Sequence, residues 1–155
     1  MADLRCGTVT FPTKLGLVRL TFSVRGVTGL KFCRQLLISD PVPNFVKQAR
    51  HQLQQYAAGK RIRFTMPLDL ASGTKFQQSV WKVLRKIPYG ETRSYAWVAR
   101  QIGNPKATRA VGAACGANPV LLCVPCHRVV ASDGALGGFS CGLSLKRQLL
   151  KLEAR

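Results

Sequence analysis

Acidic residues are scarce: Asp and Glu number 6 against 24 Lys and Arg in 155 residues, a formal net charge of +18. The shortage holds along the whole chain. Through Asp69 there are 11 basic and 3 acidic residues, and from Leu70 onward 13 and 3, so the excess is +8 and then +10. A basic tail is thereby excluded. Charge spread in this way surrounds a molecule with positive potential and favours a polyanionic partner such as nucleic acid. Charge alone also accommodates a solubilising surface, or association with a ribosome or a membrane surface.

Long apolar runs are missing as well. No stretch approaches the 18 residues of a membrane-spanning helix, and "MADLRCGTVTF" lacks the apolar centre of a signal peptide. The expected setting is the cytoplasm, with no membrane partner, where the six cysteines stay thiols rather than form a disulfide framework. An accessible thiol then becomes a candidate nucleophile. Histidine is limited to His51 and His127, and methionine to Met1 and Met66.

The length suits one domain or a compact domain with a small companion. "GTVTFPTKLGLVRLTFSV" alternates as paired strands about a turn marked by Pro12 and Gly16. Phe45, Ala49, Leu53 and Tyr56 repeat at helical spacing over residues 44–57 before Gly59 supplies a stop, with His51 on the exposed side. Ile62, Phe64, Met66 and Leu68 alternate again as a strand. These features predict a small α/β domain over residues 1–70, a linker at "DLASGT", and a second, helical domain over 71–155.

In the second domain Thr74 and Gln77 form a capping-box pair ahead of the stripe Phe76, Val80, Val83, Leu84 and Ile87, and Pro88 and Gly90 end that helix. Ser94 can cap a helix carrying Trp97, Val98 and Ile102, which stops at "GNP". A third runs from about Lys106 to Cys115. Two short helices about a tight turn suggest a helix-turn-helix, in which Ala107, Ala110 and Gly112 allow close backbone approach to a duplex and Arg109 projects a positive side chain. An alanine-rich helix packed in a bundle fits the same pattern, and the charge favours DNA.

"PVLLCVP" reads as an apolar strand that delivers Cys126 to its far end, at "VPCHRVV". "SDGALGGFSCG" follows as a glycine-rich loop, and Ser144 can cap a last helix with the repeat Leu145, Leu149 and Leu152, ending near Glu153. A carboxylate there opposes the helix dipole unless a donor compensates, and His127 is a candidate. A carboxylate-held histidine can take the Cys126 proton directly or through water and favour the thiolate. An inert buried thiol is the competing reading. C-x-x-C-H also spells c-type haem attachment, a redox pair or half a zinc site. The first expects export and an axial partner, the second a helix amino terminus, and the third another Cys/His pair, none of which accompanies the string.

The blocks "GTKFQQSVWKVLRKIPYGETRSY", "IGNPKATRAVGAACGANPV", "VPCHRVV" and "GALGGFSCGLSLKRQLLKLE" resemble the methylated-DNA–protein-cysteine methyltransferases, which repair O6-alkylguanine. The resemblance implies a small RNase H-like α/β amino-terminal domain, then a winged-helix-like domain whose helix-turn-helix binds double-stranded DNA through the minor groove. It implies single-turnover alkyl transfer to Cys126 by a monomer without cofactor. His127, water and Glu153 resemble the proton relay, Asn118 the brace of the active-site turn, and Arg128 a structural tie. Arg109 resembles the finger that replaces the extruded base, and Tyr95 the residue that crowds the flipped nucleotide. Val129 and the loop of Gly137, Gly138, Phe139 and Ser140 resemble the guanine pocket. Phe139 departs from the tyrosine common in that loop. Cys6 matches one ligand of a zinc site found in some relatives, but the matching histidines are missing, so no metal is expected. A non-catalytic lesion-binding protein is the alternative, although such relatives carry another residue at the cysteine position.

Overall fold

The computed structural model describes residues 6–37 and 42–154. The residues before position 6, which are the first five of the segment read for a signal peptide, lie outside these ranges. The chain divides into two compact units, Met1–Leu70 and Ala71–Arg155.

The first unit is built on an antiparallel meander of β1 (Gly7–Thr13), β2 (Gly16–Ser23) and β3 (Gly26–Cys33). Alternation in β2 buries Val18, Leu20 and Phe22, which face a core shared with Val46, Ala49, Leu53 and Tyr56 of helix α1 (Asn44–Ala57). Phe22 and Phe45 meet edge to face, with ring centroids 5.9 Å apart. Gly59, at φ 74°, turns the chain out of the helix.

The alternating segment from Ile62 to Leu68 is not a strand. Its only sheet-like pairing among the described residues is a bridge of Leu68 to Val27, with Val27 N–H donating to Pro67 O at 2.8 Å and Asp69 N–H to Val27 O at 2.8 Å. Ile62 is 59% exposed, and Gln52 instead holds Thr65 through both its amide atoms. Alternation without a partner strand does not make a ladder. The approach at Pro67 requires Gly26, where an added Cβ would lie 2.5 Å from Pro67 O. Strand β3, which the sequence reading passed over, contains Gly26 and Gly29 and pairs with β2 across a register shift at Thr21/Phe22.

The second unit opens with α2 (Lys75–Leu84), whose Thr74 and Gln77 complete the reciprocal capping box. Ile87 falls beyond the helix, in the turn that follows. Next come β4 (Arg93–Ser94), α3 (Tyr95–Gln101), α4 (Thr108–Gly116), a 3-10 turn at Cys126–Arg128, β5 (Val129–Val130) parallel to β4, and α5 (Leu143–Glu153). Ser94 caps α3 by accepting from Trp97 N–H at 3.0 Å. Gly103 at φ 78° breaks α3 sharply enough for α4 to begin five residues later, at Thr108. The Trp81 indole donates to Ala114 O at 2.9 Å and ties α2 to α4.

Two local readings change. Residues 119–124 form a turn rather than a strand, and Leu122 adopts φ 71° within it. Helix α5 is preceded by Gly142 at φ 95°, so Ser144 lies inside the helix and caps nothing. Its buried residues are Lys146, Leu149 and Glu153, one position beyond the leucine repeat at its first and last members.

Candidate active site

The turn at 119–124 is organised by Asn118. Its Oδ1 accepts from Val120 N–H at 3.0 Å, while Nδ2 donates to Val124 O at 2.7 Å and to Cys126 Sγ at 3.2 Å. One buried amide thus fixes both ends of the turn and places a donor on the sulfur. The positive φ at Leu122, which carries a cost of roughly 1–3 kcal/mol, is held by these bonds. Pro125 O then accepts from Arg128 N–H at 3.0 Å, closing the 3-10 turn that sends Cys126 and His127 in different directions.

His127 is fully buried, and its Nε2 lies 2.8 Å from Glu153 Oε1. A carboxylate offers no proton, so Nε2 carries the hydrogen and Nδ1 the lone pair. Nδ1 is buried with no hydrogen-bond partner among the described residues. Arg128 completes the group: Nε donates to Glu153 Oε2 at 2.8 Å, Nη2 to Glu153 Oε1 at 2.8 Å, and Nη1 to Ile87 O at 2.7 Å. The fork compensates the buried carboxylate at the end of α5. Its guanidinium also lies 5.7 Å from the Tyr89 ring centroid.

Burial pushes the Cys126 thiol up, against the lowering pull of the Asn118 hydrogen bond and of Lys146. Burial pushes His127 down, opposed by the hydrogen bond and charge of Glu153. The resting pair is therefore a thiol and a neutral imidazole.

Cys126 opens into a cleft of about 410 Å³ with mainly apolar walls. Tyr95, Arg109, Gly112, Gly138, Phe139 and Ser140 line the same cleft. Gly137 lies just behind Tyr95, where φ is 70° and an added Cβ would sit 2.6 Å from the tyrosine oxygen. Asn118, His127, Arg128 and Glu153 are buried and take no part in the cleft lining. Ala107 and Ala110 do not line the cleft; Ala110 is exposed on α4, and Ala107, just ahead of that helix, is half-buried. Burial raises the Tyr95 phenol, against the lowering pull of a hydrogen bond to the Gly138 backbone, so it remains a proton donor.

Lys146 is absent from the sequence reading. Fully buried, it donates from Nζ to Val129 O at 2.7 Å, to Gly138 O at 3.2 Å and to Leu136 O. One ammonium fastens the loop bearing Gly137 and Gly138 to β5. Cys115 was missed also; it lines the cleft, and burial pushes its thiol up to about 12. Among the described residues no three His, Cys, Asp or Glu side chains gather to hold a metal.

Residues 75–155 match the family described as 6-O-methylguanine DNA methyltransferase, DNA binding domain. The Methanosarcina barkeri methylated-DNA–protein-cysteine methyltransferase is 44% identical over 145 residues, covering 90% of this chain and 91% of its own. This chain belongs to the methylated-DNA–protein-cysteine methyltransferase family. The Methanosarcina acetivorans methyltransferase of the same name is 51% identical over 109 residues, 70% of this chain and 69% of its own. A crystal structure of the Mycobacterium tuberculosis protein in complex with DNA superposes with a TM-score of 0.84 at 44% identity, covering 95% of this chain and 92% of that one. The methyltransferase fold is thus an amino-terminal α/β domain followed by a helical, winged-helix DNA-binding domain. No helix among the described residues is long and apolar enough to cross a membrane.

Proposed function

We infer that this chain repairs O6-alkylguanine in DNA by direct, single-turnover transfer of the alkyl group to Cys126. The observation that carries the residue assignment is the Cys126 thiol at an apolar cleft, with the Asn118 amide on its sulfur and the buried His127–Glu153–Arg128 group starting at the next residue.

A paired base keeps its exocyclic oxygen inside the duplex, so the nucleotide is extruded into the cleft. Arg109, exposed near the start of α4, fills the space the base leaves, and Ala107, Ala110 and Gly112 let the helix backbone approach the minor groove. Phe139 and the backbone of Val129, Gly137, Gly138 and Ser140 hold the guanine, and Tyr95 crowds its phosphate. Water passes the Cys126 proton to His127 Nδ1 as sulfur attacks the alkyl carbon in line. The carbon–O6 bond breaks, and the departing charge on guanine is stabilised by the Tyr95 hydroxyl or the Ser140 amide. The proton lost by sulfur is balanced by the one guanine regains. A thioether does not hydrolyse readily, so each molecule acts once. We further assign the units as domains of residues 1–70 and 71–155, and the protein as a cytoplasmic, DNA-associated monomer.

Cys126→Ser separates binding from transfer. Affinity for duplex containing O6-methylguanine is expected to stay within about twofold while transfer disappears; parallel loss of both contradicts the assignment.

A further inference from the structure

The first unit carries a cleft of its own, with a volume of about 370 Å³, between one face of α1 and the segment that follows it. Its lining includes Lys47, Gln48, His51, Gln52 and Arg61. Gln52 is buried and engaged with Thr65, so it forms the floor. Arg61 is fixed in place: Nε donates to Gln55 Oε1 at 2.9 Å and Nη1 to Arg63 O at 3.0 Å, leaving Nη2 without a partner among the described residues. Lys47 and His51 are one helical turn apart and exposed on the same face. Asp69 is the only carboxylate among the described residues of this unit, against ten lysines and arginines, and Ser23 donates to its Oδ2 at 2.9 Å.

An oriented guanidinium, an exposed ammonium and an imidazole with no acidic residue in the lining make a site for a tetrahedral oxyanion. We propose that this cleft is a second phosphate-contacting surface for DNA, separate from the alkyl-transfer cleft. DNA is the occupant because the family is one of DNA-acting proteins and the excess charge of this unit suits a polyanion. The proposal rests on DNA as the polymer bound, but not on the chemistry assigned to Cys126.

The test compares full-length Lys47→Glu and Arg61→Gln with Lys31→Glu, an equal charge reversal at an exposed β3 position outside the cleft. Binding to a short unmodified duplex is measured across a salt series. Lys47→Glu is expected to weaken binding at least about fivefold more than Lys31→Glu and to reduce the salt slope by about 1, with Arg61→Gln reducing the slope similarly. Transfer from free O6-methylguanine should be unchanged in all three, so its failure in the unmodified protein would indict the proposed chemistry rather than this surface. Equal losses for Lys47→Glu and Lys31→Glu, or an unchanged slope, would overturn the proposal. Amide shifts at residues 47–52 and 61 should follow added duplex; saturation by inorganic phosphate at the same phosphate concentration would reassign the cleft to a free anion.

Discussion

Cys126 and His127 are chain neighbours with opposite tasks, and the 3-10 turn lets one face the cleft while the other is enclosed with Glu153. Because burial lowers the His127 pKa, its Nδ1 is an available base at neutral pH and is lost only as acidity passes below the ordinary histidine range. The transfer rate should therefore be flat around neutrality and fall on the acid side. His127→Phe should be about 10²-fold slower at pH 7, and its rate should rise with pH towards that of a thiolate formed without help. An unchanged rate and profile in single-turnover measurements would remove His127 from the relay. Lys146 is a positioning residue for the pocket loop. Lys146→Met strands three carbonyl acceptors, with a loss of about 2 kcal/mol or more in denaturant unfolding. It should also raise the concentration of free O6-methylguanine needed for half-maximal rate, without changing affinity for unmodified duplex. A stability loss with no such rise would make its role only structural.

At the scale of elements, α4 borders the cleft: Arg109 and Gly112 line the cavity, while Ala110 remains on the exposed surface. Arg109→Ala should slow transfer from duplex by at least about tenfold more than transfer from the free base, measured side by side under single-turnover conditions. Equal losses would mean that Arg109 serves the fold. Helices α1, α2 and α3 were legible in sequence because their signals are local: a repeat at helical spacing with Gly59, the Thr74–Gln77 box, and the Ser94 cap. The turn at 119–124 was not, because its apolar letters match a strand while its geometry is imposed by the Asn118 side chain and a left-handed Leu122. Residues 62–68 alternate correctly but lack a neighbouring strand to pair with. In α5 the leucine repeat drew attention from Lys146, whose partners are backbone carbonyls of residues 129, 136 and 138 that no periodicity reveals.

For the whole molecule, a net charge of +18 sets encounter with DNA, whereas the chemistry assigned to Cys126 occupies a single cleft of the second unit. Other thiols are present: Cys115 shares the cleft, and Cys123 and Cys141 flank Cys126 in sequence. Burial raises Cys115 and Cys123 to about 12 and raises Cys126 too, but at Cys126 the Asn118 side-chain amide donates to the sulfur and pulls the other way. The central claim is that one alkyl group passes irreversibly to this one sulfur. Mass spectrometry of the intact protein after mixing with excess duplex containing O6-methylguanine, followed by peptide mapping, tests it most directly. A single added methyl is expected, located on Cys126, with no further turnover. A methyl on Cys115, Cys123 or Cys141, or repeated turnover by unmodified protein, would contradict it.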